Sequence, residues 1–192
     1  DGFLQKTGKS NARLRLEHSI KQSDYLIWKC QILGNYFQND PTVLTRRNPI
    51  FGKTYQYIRN QSYSGSELGK LFRLFYKDNL KVVPAQIIKL LDDPMSLAVW
   101  FMDDGYYYHR DKIAYIYLPK YDQTSIENLL AALKVNFDLV PILKIKKRGE
   151  FVLNFSVSET EKLIKIIKNF VIESLKYKIP FDPVSTDPSN RK

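Results

Sequence analysis

Leu97 to Gly105 reads LAVWFMDDG, an apolar helical segment that runs into two adjacent carboxylates and a glycine. A helix C-terminus already carries partial negative charge, so Asp103 and Asp104 in its last turn are disfavoured by roughly 0.3 to 1 kcal/mol each unless a cation answers them. Ala98, Phe101, Met102 and Gly105 recur at i, i+3, i+4 and i+7, an apolar stripe with small residues at both ends that permits close helix packing. Gly105 is expected to leave the helix in the left-handed conformation.

Composition narrows the partners. The 192-residue chain has 44% apolar residues, enough for one domain or two small fused halves, and a formal net charge of +10. A polyanion is the natural partner, nucleic acid ahead of an acidic membrane surface. A single cysteine, Cys30, rules out an internal disulfide and a cysteine-built zinc site, and two histidines, His18 and His109, are too few for a histidine cluster. Any metal must therefore be held by oxygen. No apolar run nears the ~20 residues that span a bilayer, so the expectation is a soluble chain in a reducing compartment with no membrane partner. The abundance of Lys, Ile, Asn, Tyr and Phe hints at an A+T-rich coding genome such as that of a mitochondrion or chloroplast.

Outward from the nonamer, the pattern repeats. Ala12, Leu14 and Leu16 alternate with Arg13, Arg15 and Glu17, the period of a strand with one buried face and one largely cationic face. A helix is expected from Asp24 to Phe37 with Ser23 as its cap, then strands Thr42–Arg47 and Thr54–Asn60, and a helix from Ser64 or Ser66 to Lys77. Cys30 reads as a packing residue. A further helix runs to Leu91, and Asp92-Asp93-Pro94 mark the junction of two halves. After Gly105 the order returns: a loop of Tyr106 to Arg110, a strand from Lys112 to Leu118, a helix capped by Asp122 or Thr124, a hairpin of Ile142–Lys147 and Glu150–Val157 turning at Arg148 and Gly149, and a last helix from Ser158 or Thr160 to Leu175. The domains expected are 1–94, 95–180 and a flexible tail, 181–192.

The halves align on chemistry as well as order. Asp1-Gly2 matches Asp104-Gly105, and Lys81-Val82-Val83-Pro84 matches Lys178-Ile179-Pro180; the acid precedes the lysine by 80 residues in the first half and 74 in the second. Such a repeat predicts an α+β fold of pseudo-twofold αββαββα units, in which the strands form a β-saddle with helices behind. Duplex DNA has the same twofold relation between its strands. Paired acids at one point cannot both stay ionised alone, so a divalent, oxygen-seeking cation such as Mg²⁺ would bridge them and activate water for attack on phosphorus.

LAVWFMDDG, with the paired lysine-proline segments, resembles the motif of the LAGLIDADG homing endonucleases, in the intron-encoded, monomeric subfamily whose second motif reads WFMDDG. The resemblance implies that Asp1 and Asp104 are the metal-binding acids, Mg²⁺ or another divalent cation the cofactor, and Lys81 and Lys178 the paired active-site lysines that polarise water or stabilise the transition state. Asp103 is given no catalytic part. The first motif keeps only its final Asp-Gly, so the expectation is a fragment of a longer protein, missing the first motif helix and poorly active alone.

A saddle of strands can enter a major groove about 12 Å wide. The candidates for contacting double-stranded DNA are Arg13, Arg15, Glu17, Arg46, Arg47, Tyr57 and Arg59 in the first half and Lys112, Lys144, Lys146 and Arg148 in the second. Tyr106 to Tyr108 and His109 follow the acid and are placed near the backbone at the cut; His18 reads as structural. Two functions follow. One is a site-specific, metal-dependent endonuclease that cuts both strands of a long site and promotes intron homing. The other is an RNA maturase that binds its intron without hydrolysing DNA. Retention of acids and lysines in both halves favours cleavage.

Overall fold

A computed structural model describes residues 2–37, 39–146, 149 and 151–180; Asp1, Arg148 and the 181–192 tail lie outside the described residues. The described chain is α+β, built on two four-stranded antiparallel sheets of identical topology. The first sheet has the order β1-β2-β4-β3, with β1 at Gly2–Lys6, β2 at Ala12–Ser19, β3 at Thr42–Arg47 and β4 at Thr54–Gln61. Helices α1 (Ser23–Leu33) and α2 (Ser66–Phe75) accompany it. A small hairpin, β5 (Tyr76–Lys77) with β6 (Leu80–Lys81), follows, then the short α3 (Ile87–Leu90). The motif helix α4 spans Pro94–Asp104. The second sheet has the order β7-β8-β10-β9, with β7 at Gly105–Tyr108, β8 at Ile113–Leu118, β9 at Ile142–Ile145 and β10 at Phe151–Phe155. Helices α5 (Gln123–Phe137) and α6 (Val157–Ile167) complete the repeat, and 3-10 turns carry the chain to Lys178.

The two sheets also share register. Gly2 pairs with Leu16 at the start of β1, and Gly105 pairs with Ile116 at the start of β7, so a glycine opens the first strand of each sheet.

Two compact units emerge: Asp1–Leu91 together with Pro119–Asn136, and Asp92–Leu118 together with the chain from Phe137 onward. Helix α5 thus packs within the first unit although its sequence belongs to the second repeat. Polar contacts hold it there. The Ser125 hydroxyl accepts from the Val83 amide at 2.9 Å, Asn128 donates to the Val83 carbonyl at 2.9 Å, and Asn136 donates to the carbonyls of Ile88 and Leu91 at 2.8 and 2.7 Å. In the first unit Leu16, Leu26 and Ile58 form a buried cluster between sheet and α1, with Leu14, Ile20, Leu33 and Phe37 packed around it. In the second, Leu97, Ala98, Phe101 and Met102 of α4 are buried, as are Ala114, Ile116, Leu153, Phe155, Leu163 and Ile167. Burying each such side chain contributes about 1.5–3 kcal/mol relative to leaving it exposed, and that sum offsets the cost of ending α4 in two acids.

Several boundaries depart from expectation. Ser23 does not cap α1; it is the first helical residue, and the preceding Ser19 accepts from Lys21 in a 3-10 turn. The helix expected to run to Phe37 ends at Leu33 and gives way at Gly34 to a tighter turn, and Ile32 in its last turn is half exposed. Tyr106 to Tyr108, expected in a loop, form β7 and pair with Tyr115, Ala114 and Ile113. Helix α2 stops at Phe75 because Asp78 and Asn79, both at positive φ, turn the chain into the β5–β6 hairpin. Asp93 accepts from the Ser96 amide at 3.2 Å and Pro94 opens the first turn, so the expected break is also the start of the motif helix.

Gly105 is not left-handed. Its φ of −83° and ψ of 151° are extended, and what demands glycine is crowding: a Cβ there would lie 2.3 Å from the Phe101 carbonyl oxygen and 2.4 Å from its ring. The close approach lets the chain leave α4 and enter β7 without an intervening loop. Gly105→Ala is expected to cost about 1–3 kcal/mol through that overlap, lowering the melting temperature measurably, while Gly8→Ala, where a Cβ meets nothing within 4 Å, serves as the silent control.

Candidate active site and nucleic-acid interface

The second unit places one of the expected lysines at the end of the motif helix. The ammonium of Lys178 donates to the Met102 carbonyl at 2.5 Å and reaches the Asp103 carbonyl at 3.4 Å. Those are orphan carbonyls of the last helical turn, where a cation is worth about 0.3–1 kcal/mol or more when partly buried. Here is the answer to the two acids: the negative end of α4, with Asp103 and Asp104 both half-buried and reachable from solvent, is faced by a half-buried lysine brought 74 residues along the chain. The 3-10 turn Glu173–Lys178 delivers it, anchored by buried Leu175 and Ile179.

Lys81, its counterpart in the first unit, is exposed on β6 opposite Tyr76. Tyr76 in turn accepts from the Leu4 amide at 3.3 Å, tying the hairpin to β1. Asp1 lies outside the described residues, so of the expected quartet the structure describes three. Among the described residues no three His, Cys, Asp or Glu side chains gather as a metal cage. The Asp104 carboxylate is an oxygen donor of the kind Mg²⁺ accepts, since that ion keeps waters and takes one or two carboxylates plus substrate phosphates.

The strands sort the remaining candidates by face. In the first sheet the register brings Arg13, Arg15 and Glu17 of β2, Tyr57 and Arg59 of β4 and Arg46 of β3 to the side opposite Leu14, Leu16 and Ile58. Phe3 and Gln5 of β1, which sequence reading passed over, join them. Arg47 alternates to the other side and sits instead at the hairpin end, with Gly52 beside it. Glu17 is gripped by both Nη atoms of Arg46, at 2.6 and 2.7 Å, and Arg46 also lies 5.1 Å from the Tyr57 ring centre. That hydrogen bonding holds the Glu17 carboxyl below its ordinary range, although burial opposes it. Burial, then the like charges of Arg59 and Arg13, lower the basicity of Arg15, the mark of a crowded cationic surface that an anion would relieve.

The corresponding face of the second sheet is aromatic. Tyr106, Tyr108, Tyr115 and Tyr117 share it with Lys144, Val152 and Asn154. Lys146 joins from beyond β9, donating to the Tyr117 hydroxyl at 2.6 Å and lying 4.6 and 4.5 Å from the ring centres of Tyr115 and Tyr117. The alternation of Tyr115 and Tyr117 with Ala114, Ile116 and Leu118 was legible in the sequence as a half-buried strand, but tyrosine does not announce which face is wet. Lys112 does not join this face. At positive φ in the β7–β8 turn, it lines a cavity of about 390 Å³ with Tyr107, Thr160, Lys165 and Lys168. His109 packs edge-on against Tyr107, and His18 is buried, 3.3 Å from the Lys29 ammonium and tilted against the Tyr25 ring, a structural placement. Cys30 is half-buried and receives a hydrogen bond from Asn60.

Residues 1–163 match the LAGLIDADG DNA endonuclease family, and the chain belongs to that family. Its class is that of an endodeoxyribonuclease. It is 23% identical over 187 residues to the probable intron-encoded endonuclease 1 of Wickerhamomyces canadensis, covering 95% of this chain and 80% of that protein. It is 22% identical to the cytochrome b mRNA maturase bI2 of Debaryomyces hansenii, over 91% of this chain and 67% of the maturase. Among solved structures, the homing endonuclease I-WcaI bound to its DNA recognition sequence shares the fold, with a TM-score of 0.83 at 22% identity over 95% of this chain and 81% of that one. The chain spans less than half the length of several other curated relatives. No described helix is long and apolar enough to cross a membrane.

The Glu17–Arg46 pair has a pH signature. Because the folded-state pKa of Glu17 is depressed, its contribution to stability is present above the ordinary glutamate value of 4.5 and is lost as pH falls through the lower folded value. A melting-temperature series from pH 7 to pH 3 should therefore fall less steeply for Glu17→Gln than for the parent; parallel curves would mean the pair contributes nothing to folding.

Proposed function

We propose that the chain is a site-specific homing endonuclease that cuts both strands of a long duplex site, encoded by an organellar intron, with Asp104 and Lys178 at the reacting end of its second repeat. The observation that carries this reading is the meeting of the Asp104 helix end with the Lys178 ammonium, two residues whose places in the sequence match the family's acid and lysine. Membership of a DNA endonuclease family and the basic strand face of the first unit support it.

Asp104 supplies a carboxylate to a divalent cation, and Mg²⁺ suits its oxygen chemistry. When bound, such a cation activates water and neutralises charge on the phosphate. Asp1 takes the equivalent part for the first repeat by resemblance. Lys178 keeps a positive charge at the helix end, where it offsets the acids and electrostatically favours the extra negative charge that develops on phosphorus oxygens. Lys81 is the corresponding lysine of the first repeat. Arg13, Arg15, Glu17, Arg46, Tyr57 and Arg59, with Lys144 and Lys146 from the second sheet, make the DNA contacts; Arg47 and Lys112, which the register sets apart from these faces, do not read bases. Arg148 keeps the DNA-contact role assigned to it from sequence.

A maturase reading is favoured by one observation, the maturase among the curated relatives. It would have the same basic strands bind intron RNA with no hydrolysis.

The test is a plasmid carrying the uninterrupted insertion site, incubated with the protein and Mg²⁺. Linearisation that stops on chelation supports the endonuclease; tight intron-RNA binding without cutting selects the maturase. Asp104→Asn should abolish cutting with DNA binding retained, and Lys178→Met should slow it by about a hundredfold to a thousandfold, beyond what its modest loss of melting temperature explains. Normal cutting by Asp104→Asn would overturn the assignment of the metal.

A further inference from the structure

Three side-chain polar atoms among the described residues are buried without a hydrogen-bond partner: Nε of Arg13, Nε of Arg15 and Oδ1 of Asn154. A buried polar atom left unmade costs about 1–3 kcal/mol, so natural chains carry few, and each asks for an explanation. None of these three is in a helix; the two arginines are half-buried and Asn154 is buried. Arg13 and Arg15 lie on β2, an interior strand of the first sheet, on the face opposite Leu14 and Leu16; Asn154 lies on β10, an interior strand of the second sheet, on the face shared with Tyr115. The orphan atoms therefore sit at the centre of the two strand faces proposed for DNA.

Position within a sheet separates two kinds of contact. When a twisted ribbon of strands enters a groove, its interior strands approach the floor, where base edges lie, and its edge strands approach the phosphate walls. We infer that Arg13, Arg15 and Asn154 are base-reading residues, the two arginines selecting guanine and Asn154 selecting adenine, whereas Lys144 on the edge strand β9 contacts phosphate. The inference rests on the DNA-cleaving reading above and specifies its substrate.

The chemistry follows from donor and acceptor counts. A guanidinium offers Nε and Nη as a donor fork to the guanine O6 and N7 acceptors, and a carboxamide offers an acceptor and a donor that match adenine N6 and N7. In the free protein the neighbours of these groups already hold them in place. Gln5 accepts from Nη1 of Arg15 at 3.3 Å and the Phe3 ring lies 5.8 Å from its guanidinium carbon, which leaves Nε for the base. Asn154 is 8% exposed, opposite Tyr115, and the ammonium of Lys146 spans the rings of Tyr115 and Tyr117 beside it. A lysine on these rings is long and rotatable, able to reach a phosphate of a duplex laid on this face. The unlike chemistry of the two faces, arginine in one and tyrosine with a single amide in the other, further implies an asymmetric target with guanines in the part met by the first sheet and an A·T pair in the part met by the second.

The experiment is a binding selection by the full chain from a pool of randomised duplexes, followed by titration of the enriched duplex at several salt concentrations. The parent protein should enrich one asymmetric motif. Asn154→Asp, nearly isosteric, converts the adenine reader into an acceptor suited to cytosine N4, so one adenine in the motif should become cytosine while every other position holds. Arg15→Ala should relax a single guanine, with about tenfold to a hundredfold weaker binding to the parent motif and little change in salt slope. Lys144→Ala should leave the motif intact, weaken binding to all duplexes alike and make the salt dependence shallower. If Asn154→Asp and Arg15→Ala enrich the parent motif unchanged, or weaken all duplexes equally, the base-reading assignment is overturned while the DNA reading stands. A parent protein that enriches no motif overturns both. Arg15 lies on an open strand face, so its variant carries the test even if the Asn154 variant folds poorly.

Discussion

The contact on which the second unit depends is that between Lys178 and the last carbonyls of α4. A helix that ends in two aspartates concentrates its own dipole, two carboxylates and unsatisfied carbonyl oxygens in one turn. Without a cation such an end would fray or bury its acids behind shifted pKa values. The lysine satisfies main-chain groups of that last turn, and the two acids beside it remain half-buried. Structural need and chemical use coincide at that point.

Around that contact the backbone is drawn tight. Gly105 lies so near Phe101 that helix and strand join without a loop, and the first residue of β7 is also the first beyond Asp104. The acid is therefore tied to the edge of a sheet whose other strands carry the tyrosine and lysine face. The stripe Ala98, Phe101 and Met102, fully buried, anchors the other side of the helix.

The two units divide their labour by chemistry while repeating each other's topology. In the first, arginines crowd on β2 and β4, and the one carboxylate among them is already held by Arg46. In the second, aromatic rings do most of the covering and lysine is a minority. Identical strand order thus carries unlike surfaces in the two units.

Sequence alone determined the family and the repeat and singled out the candidate acids and lysines, because these depend on local period, on a nine-residue motif and on spacing along the chain. It also announced β2, β3, β4 and β8, whose alternation is strong. It did not reveal β1, too short and mixed to show a period, nor β7, whose three tyrosines read equally well as a loop. Arg46 and Arg47 look alike in sequence, and only the register separates them, since a strand turns successive residues to opposite faces. Gly105 was recognised as necessary for the wrong reason, because crowding by a ring four residues back is invisible to φ-based rules. Tertiary structure decided what depends on distant partners: that Lys178 rests on Met102, that α5 packs with the first unit, and that Arg13, Arg15 and Asn154 carry buried atoms with nothing to bind. Those outcomes depend on where distant segments meet in space, and no local pattern encodes that.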